Sequence, residues 1–166
     1  LGIKDGDEVI TSDLTFFATI EAIHAVGATP VLADICPKTY CSNIDNIKPL
    51  VTKKTRAIIS VHLYGNIAYI DEISKFCKKN NLKYIQDAAQ AHLGQYNNKP
   101  LEKFSDAVCY SFYPGKNLGA MGDAGCVTSE KQKIIQKIKF LRDHGRSSKY
   151  LHEEMALSAR MDSFQA

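Results

Sequence analysis

Hydrophobic and polar residues alternate along the chain in a pattern that predicts strands separated by helices. Short apolar runs are typical of buried strands, and apolar residues three or four positions apart are typical of helices. The predicted strands are Glu8 to Thr11, Thr29 to Ile35, Arg56 to Leu63, Lys83 to Gln86, Ala107 to Phe112 and Ala124 to Ser129. The predicted helices are Thr15 to Val26, Asn46 to Val51 with Asp45 as its cap, Asp71 to Asn80, and Lys131 to Arg142.

This order of elements predicts an α/β fold with three layers. Near-continuous apolar strands between helices favour a mainly parallel sheet that is covered on both faces. Ligands of such folds bind at the carboxyl ends of the strands. Three distinctive polar residues follow strand ends: Asp87, Gln90 and Lys116. The polar stretch Ser147 to Glu154 is expected to cross the surface, and the last residues, Phe164 to Ala166, are expected to lie in a helix.

The composition changes this interpretation little. The 166 residues are 45% hydrophobic and carry a net charge of +3. The lysine clusters alternate with apolar residues at helical spacing, which indicates solvated helix faces and argues against a nucleic-acid partner. No apolar stretch approaches the roughly 18 residues of a membrane span, so no membrane association is expected.

The cysteines indicate a reducing compartment. There are five of them, an odd number, and no CxxC pair occurs. We therefore expect reduced thiols in a cytoplasmic protein, with Cys109 and Cys126 acting as small hydrophobic residues in strands. No set of His, Cys and acidic residues has the spacing of a zinc site, so no metal is expected.

The segment from Tyr110 to Gly119 predicts a reactive lysine. It places Lys116 in a Gly- and Pro-containing loop directly after an apolar strand. A lysine amine becomes nucleophilic when a crowded, partly desolvated site favours loss of its proton. Such a loop could hold a lysine that forms a Schiff base with pyridoxal phosphate.

Asp87 supports the same cofactor. A carboxylate that faces the pyridine nitrogen stabilises the protonated ring, and a charge-assisted pair of this kind contributes about 1.5 to 3 kcal/mol. By itself, an Asp at a strand end is more often a helix cap or an ion-pair partner. The lysine loop downstream favours the cofactor role.

Further candidates come from the chemistry that a pyridoxal cofactor needs. Gln90 could hydrogen-bond the ring oxygen, Ser111 could donate to the phosphate, and Phe16 or Phe17 could stack on the ring. For each of these residues, an ordinary core or capping role is the competing interpretation. His62, His92 and His144 are expected to be structural residues whose hydrogen bonds are satisfied.

Two similar motifs can be rejected. Gly115-Lys116 lacks the first Gly and the final Ser or Thr of a phosphate-binding P-loop, since Tyr110 and Asn117 occupy those positions. The glycine-rich stretch 119–125 leads into a strand, whereas a dinucleotide fingerprint opens a helix. A nicotinamide-dependent oxidoreductase is therefore a poor match.

Several ordered blocks resemble one protein family. They are Gly6 to Ile10, Thr15 to Thr19, Val26 to Val31, Val61 to Gly65, Asp87 to His92, Ser111 to Ala120 and Arg142 to Gly145. With these blocks the chain is similar, almost from end to end, to the DegT/DnrJ/StrS sugar-nucleotide aminotransferases, which are fold-type I pyridoxal phosphate enzymes.

The resemblance implies a role for each candidate. Lys116 is the Schiff-base lysine, Asp87 the partner of the pyridine nitrogen, Gln90 the partner of the ring oxygen, Ser111 a phosphate ligand and Phe16 the stacking ring. It implies amino transfer, because the dehydratase branch has histidine at the position of Lys116. The donor is expected to be glutamate, the acceptor a keto group on a nucleotide-linked deoxysugar, and the assembly a homodimer. The alternative is a non-catalytic relative that binds the cofactor or a sugar nucleotide as a sensor or assembly component.

The resemblance also predicts that residues 1–166 are part of a larger enzyme. They correspond to part of the large cofactor-binding domain, and the family's upstream phosphate loop and small C-terminal domain are absent from this chain. At Ser158 relatives usually have Asn, which reaches the phosphate of the partner subunit, so the role of Ser158 is left open.

Overall fold

The computed structural model describes residues 1–67 and 69–166. Its strands are β1 (Glu8–Ser12), β2 (Thr29–Ala33), β3 (Thr55–Val61), β4 (Lys83–Asp87), β5 (Gln95–Tyr96), β6 (Lys99–Pro100), β7 (Ala107–Ser111), β8 (Gly125–Thr128), β9 (Arg146–Ser148) and β10 (Leu151–His152). Its α-helices are α1 (Ala18–Ala25), α2 (Ile44–Ile47), α3 (Ile70–Lys79) and α4 (Gln132–Leu141). Short 3₁₀ turns cover Lys48–Leu50, Leu63–Gly65 and Leu101–Lys103.

Six strands form the central sheet, in the order β2-β1-β3-β4-β7-β8. The pairs from β2 through β7 are parallel, and β8 alone runs antiparallel, beside β7. The parallel pairing brings the carboxyl ends of β1, β3, β4 and β7 to the same edge of the sheet. The site described below lies at this edge.

Alternate side chains of the strands pack into separate clusters on the two faces of the sheet, as the two-residue period of a strand requires. On the face of the sheet that α1 covers, the buried residues are Val9, Ile23, Ala28 and Ala57. On the other face, with α2 and α3, they are Ile10, Ala33, Ile47, Ile58, Ile73, Cys77 and Tyr84. Helices thus cover both faces, and the predicted three-layer, mainly parallel fold is confirmed.

A third cluster supports the segment that follows β4. Ala88 and Ala91 are buried there with Ile70, Leu101 and Val108. Because this segment is anchored on a packed cluster, the residues between Asp87 and His92 have fixed positions at the sheet edge. The cluster therefore links the hydrophobic core to the candidate site.

Most predicted elements are confirmed, with ends that differ by a few residues. The helix predicted from Thr15 begins at Ala18, and the strand predicted to end at Ile35 ends at Ala33. That second strand, β2, was expected to be buried, but only its last residue, Ala33, is buried, because β2 lies at an edge of the sheet.

The cap predicted for the second helix is wrong. Asn43, not Asp45, caps α2: its side chain accepts hydrogen bonds from the backbone N–H groups of Asp45 and Asn46, at 3.0 and 2.9 Å. The Asn46 side chain completes the capping box by accepting from Asn43 N at 3.4 Å. The helix is also shorter than predicted, because Pro49 has no N–H to continue it.

Three further predictions are corrected at the ends of elements. The strand predicted to reach Leu63 stops at Val61, and a 3₁₀ turn follows in which Tyr64 has a φ of 56°. The exposed segment Ser147 to Glu154 is not a simple crossing, since β9 and β10 pair there as an antiparallel hairpin. Phe164 to Ala166 lie in a turn at the chain end rather than in a helix. Among the described residues, no helix is long and apolar enough to cross a membrane.

Candidate active site

A small cavity of about 20 Å³ opens at the carboxyl edge of the sheet. It is lined by four of the five predicted cofactor residues, namely Phe16, Asp87, Gln90 and Lys116. Thr15, Val61, His62, Leu63 and Ala89 complete the lining. Residues far apart in sequence meet here because α1, β3, β4 and the loop after β7 all reach this edge.

Asp87 is the last residue of β4, and its carboxylate is held by two donors. Thr19 Oγ1 donates to Asp87 Oδ2 at 2.8 Å, and Ala89 N donates to Oδ1 at 3.1 Å. Thr19 Oγ1 is also 2.8 Å from Thr15 Oγ1. These contacts fix the carboxylate at the cavity, where it can accept a hydrogen bond from a cationic ligand.

Gln90 is oriented by the main chain of a neighbouring turn. Tyr64 N donates to Gln90 Oε1 at 2.6 Å. Tyr64 can aim its N–H in this direction because its backbone is left-handed. With Oε1 engaged, the amide NH₂ of Gln90 makes no hydrogen bond to the described residues and can donate to a ligand oxygen.

Lys116 lies in the loop that connects the antiparallel strands β7 and β8. The loop turns tightly: Lys116 N donates to Tyr113 O at 2.8 Å, and Ala120 N donates to Phe112 O at 2.7 Å. A Cβ at Gly119 would lie 2.6 Å from Pro114 O, so this turn requires glycine there. Lys116 is half-buried, and its amine has no ion pair with any described residue.

Phe16 and Ser111 occupy different positions relative to the cavity. Phe16 precedes α1, lines the cavity and is 73% exposed, so its side chain is accessible to a ligand. Phe17, the other stacking candidate, is exposed outside the lining. Ser111 ends β7 at the same sheet edge but does not line the cavity; its Oγ accepts from Tyr113 N at 3.2 Å.

His62 and His92 form only part of their possible hydrogen bonds, contrary to the prediction that they are satisfied. Buried His62 pairs through Nε2 with Gln86 Oε1 at 2.8 Å, and burial lowers its pKa despite that bond. The Nε2 of His92 bonds Ser111 O at 2.8 Å, and its ring stacks on Phe112. The Nδ1 atoms of both rings are buried without a hydrogen-bond partner among the described residues.

Sequence reasoning missed Thr15 and Thr19. Both belong to the apolar-looking segment at the start of α1, and Thr19 is buried behind Asp87. Their spacing of four residues was the available signal, because it places two hydroxyls on one side of a helical turn. Ser158, whose role was left open, is exposed and pairs through its backbone with Asp143.

A larger cavity at the opposite edge of the sheet is less suited to chemistry. It measures about 430 Å³, and four of its charged residues form ion pairs, Lys103 with Glu130 and Lys131 with Asp106. The described residues include no group of three or more His, Cys, Asp or Glu side chains placed to hold a metal ion. The small cavity remains the candidate active site.

The chain is similar in sequence to several known proteins. The model of the DegT/DnrJ/EryC1/StrS aminotransferase family matches residues 1–166. The UDP-N-acetyl-3-dehydro-alpha-D-glucosamine 3-aminotransferase of Acidithiobacillus ferrooxidans is 42% identical over 166 residues, which are 100% of this chain and 45% of that protein. A pleiotropic regulatory protein of Geobacillus stearothermophilus is also 42% identical, over 99% of this chain and 44% of its own length.

A solved structure shares the fold. NtdA from Bacillus subtilis, with bound cofactor PMP, superposes with a TM-score of 0.92 and 32% sequence identity, over 99% of this chain and 38% of that one. The chain thus spans less than half the length of these proteins.

Proposed function

The chain belongs to the DegT/DnrJ/EryC1/StrS aminotransferase family, and from this we propose that the full-length protein is a pyridoxal phosphate-dependent aminotransferase. It moves an amino group from glutamate to a keto group of a nucleotide-linked deoxysugar. The observation that carries the proposal is the cavity in which Lys116, Asp87, Gln90 and Phe16 meet. A relative that is 42% identical is named for amino transfer to a keto sugar nucleotide.

The donor set around the cavity fits this cofactor. Asp87 offers the pyridine nitrogen a carboxylate that Thr19 and Ala89 already orient. Gln90 offers an unused amide NH₂ to the ring oxygen, since Tyr64 N occupies its carbonyl. The exposed face of Phe16 offers an aromatic surface, and aromatic stacking contributes about 0.5 to 1.5 kcal/mol beyond area burial.

Lys116 has two tasks in this proposal. When bound, pyridoxal phosphate supplies an electron sink for the carbon from which a proton is removed. Lys116 Nζ would hold the cofactor covalently in the resting enzyme, and once released it would be the base that takes up and returns that proton. The tight turn around Gly119 limits the movement of the Lys116 backbone, which would keep the amine near the carbon that loses the proton.

Ser111 is proposed as a ligand of the cofactor phosphate. It does not line the cavity, but it ends β7 beside β4, whose last residue is Asp87. The register pairs Asp87 with Cys109, so Ser111 lies two residues further toward the carboxyl edge. At that position its hydroxyl can donate to a phosphate lying beyond the ring.

The assembly around this domain is also part of the proposal. Residues 1–166 form part of the large cofactor-binding domain, a phosphate loop and a small domain belong to the rest of the protein, and the enzyme works as a cytoplasmic homodimer. Large apolar side chains near the lysine loop are exposed, including Leu118 at 62% and Met121 at 93%. Exposed apolar groups of this size are suited to contact with another domain or subunit.

The test is reconstitution of the full-length protein with pyridoxal phosphate. We expect a visible absorbance band from the lysine-bound cofactor, and borohydride reduction should label the peptide that contains Lys116. Lys116→Ala should abolish both signals, whereas Lys99→Ala, on an exposed strand residue, should leave them unchanged. Labelling of a different peptide would refute the assignment.

Turnover separates the enzyme from the competing function. The regulatory protein of Geobacillus stearothermophilus, at 42% identity, favours a cofactor-binding sensor as the second candidate. Full-length protein, glutamate and a panel of 3-keto and 4-keto sugar nucleotides should give an amino sugar nucleotide, detected by mass spectrometry. A sensor would keep the absorbance band and leave glutamate unchanged.

A further inference from the structure

Two cysteines are joined by a backbone hydrogen bond at the ends of a tight loop. Cys36 N donates to Cys41 O at 3.0 Å, and Cys36 O accepts from Thr39 N at 3.1 Å and from Tyr40 N at 2.8 Å. This single hydrogen bond limits the distance between the Cα atoms of Cys36 and Cys41, because the covalent bonds on either side of it have fixed lengths. Disulfides form between Cα atoms about 4.4 to 6.8 Å apart, so the hydrogen bond keeps the two backbones as close as a disulfide needs.

The two thiols differ in accessibility and share one polar neighbour. Cys36 is half-buried, and a hydrogen bond from the Tyr69 side chain, with others from the Lys38 and Thr39 backbones, lowers its pKa to about 7. Cys41 is buried, and its Sγ donates to Asn66 O at 3.3 Å. Tyr69 interacts electrostatically with both thiols.

Other cysteines of the chain lack this environment. Burial raises the pKa of Cys77 to about 12 and that of Cys109 to about 11. Their thiols therefore stay protonated near neutral pH. They serve as internal controls for the reactivity of Cys36.

We propose that Cys36 and Cys41 form a disulfide when the protein meets a peroxide. The Cys36 thiolate attacks one peroxide oxygen, the O–O bond breaks, and the departing hydroxide takes up the proton lost by Cys36 to give water. Cys41 sulfur then attacks the sulfur of the resulting sulfenic acid, the S–O bond breaks, and a second water leaves with the Cys41 proton. Two thiols are oxidised by two electrons, and one hydrogen peroxide is reduced to two waters.

The cysteine loop is joined to the candidate site through one short segment. Asn66 Nδ2 donates to Thr39 O at 2.8 Å, and the rings of Tyr40 and Tyr64 meet edge to face with centroids 6.2 Å apart. Tyr64 N in turn holds Gln90. A disulfide breaks the hydrogen bond from Cys41 Sγ to Asn66 O, because the sulfur then has no proton to donate. Oxidation should therefore loosen the turn that contains Tyr64 and Asn66 and orients Gln90. The effect on cofactor binding rests on the proposed function.

The lowered pKa of Cys36 predicts a moderate gain in reactivity. At pH 7 a thiol of pKa about 7 is half ionised, whereas one of pKa about 9 is about 1% ionised, an advantage of roughly 50-fold. The lower basicity of the thiolate reduces its nucleophilicity by about eightfold, with a Brønsted coefficient of about 0.45. Cys36 should therefore react about sixfold faster than an ordinary exposed thiol.

Peptide mapping of the full-length protein tests the pair directly. After treatment with hydrogen peroxide and alkylation, trypsin cleaves after Lys38, so a Cys36–Cys41 disulfide joins two separate peptides. We expect this linked species, its loss on reduction with dithiothreitol, and its absence in Cys36→Ser and Cys41→Ala. In the untreated protein Tyr69→Phe should slow alkylation of Cys36 by up to about sixfold, while Cys77 stays unlabelled.

Three outcomes would overturn the proposal. They are a disulfide from Cys36 to a cysteine other than Cys41, a stable sulfenic acid at Cys36 with no linked peptide, and alkylation of Cys77 as fast as that of Cys36. None of these readouts depends on bound cofactor, so failure of the aminotransferase proposal leaves them interpretable.

Cofactor affinity tests the connection to Gln90. Oxidised wild-type protein should bind pyridoxal phosphate at least twofold more weakly than reduced protein, and dithiothreitol should restore the affinity. Cys36→Ser should bind equally well with and without peroxide. Equal affinities of cross-linked and reduced wild type would refute the coupling.

Discussion

Thr19→Val removes one hydroxyl from the site and changes the side-chain volume little. The Thr19 hydroxyl donates to Asp87 Oδ2 at 2.8 Å and lies 2.8 Å from Thr15 Oγ1, so the substitution leaves both atoms short of one partner. A hydrogen bond to a charged group contributes about 1.5 to 3 kcal/mol. Because Ala89 N still holds Oδ1, we take the lower end of this range.

A loss of about 1.5 kcal/mol corresponds to roughly tenfold weaker binding of a ligand that depends on the position of the carboxylate. We expect this change in the dissociation constant of pyridoxal phosphate, measured by absorbance titration of the full-length protein. Thr19→Ser keeps the hydroxyl and should stay within about twofold of wild type. If the valine variant binds as tightly as the serine variant, Asp87 does not rely on Thr19, and the reasoning is wrong.

Three further predictions concern the loop, the core and a cap. Gly119→Ala places a Cβ 2.6 Å from a main-chain carbonyl and should reduce covalent cofactor labelling, while Gly115→Ala, whose Cβ has 3.8 Å of clearance, should not. Burial lowers the pKa of His62 below its ordinary 6.5, so neutral His62 stabilises the fold fully above pH 6.5. As the pH falls below 6.5 the free energy of unfolding should decrease, by at most about 1.4 kcal/mol per pH unit. His62→Asn should weaken this pH dependence, measured by urea unfolding at pH 7.5 and 5.5. Asn43→Ala should cost about 1 kcal/mol in the same assay, and Asn43→Asp less.

The layer architecture could be predicted because a short run of apolar residues is enough to indicate each buried strand. Alternating residues of β1 and β3 separate into two clusters, for example Val9 on one face and Ile10 on the other. The position of Asp87 at a strand end follows from the same pattern. Strand order is harder to predict from the sequence, because no local signal indicates that β1 lies between β2 and β3.

The features that the sequence did not predict correctly depend on individual side-chain hydrogen bonds or on contacts between residues far apart in sequence. The cap of α2 was assigned to Asp45, yet Asn43 can reach the first free N–H groups with one side-chain oxygen. Thr19 and Asp87 are 68 positions apart, so the local pattern that marks the two threonines does not reveal that Thr19 supports Asp87. The edge position of β2 likewise depends on tertiary pairing, which overrides the apolar composition of Val31 and Leu32.

The direction of β8 explains how a lysine on a long loop can act at a parallel sheet. After β7 the chain reverses and pairs antiparallel, with Ser111 opposite Gly125, so both ends of the loop leave from the carboxyl edge. A parallel neighbour would need a crossover of a dozen or more residues that carries the chain to the opposite edge. The reversal keeps the loop from Phe112 to Ala124 at the cavity, and the glycine turn folds it back on itself. Lys116 therefore reaches the same cavity as Asp87, which ends the adjacent parallel strand β4.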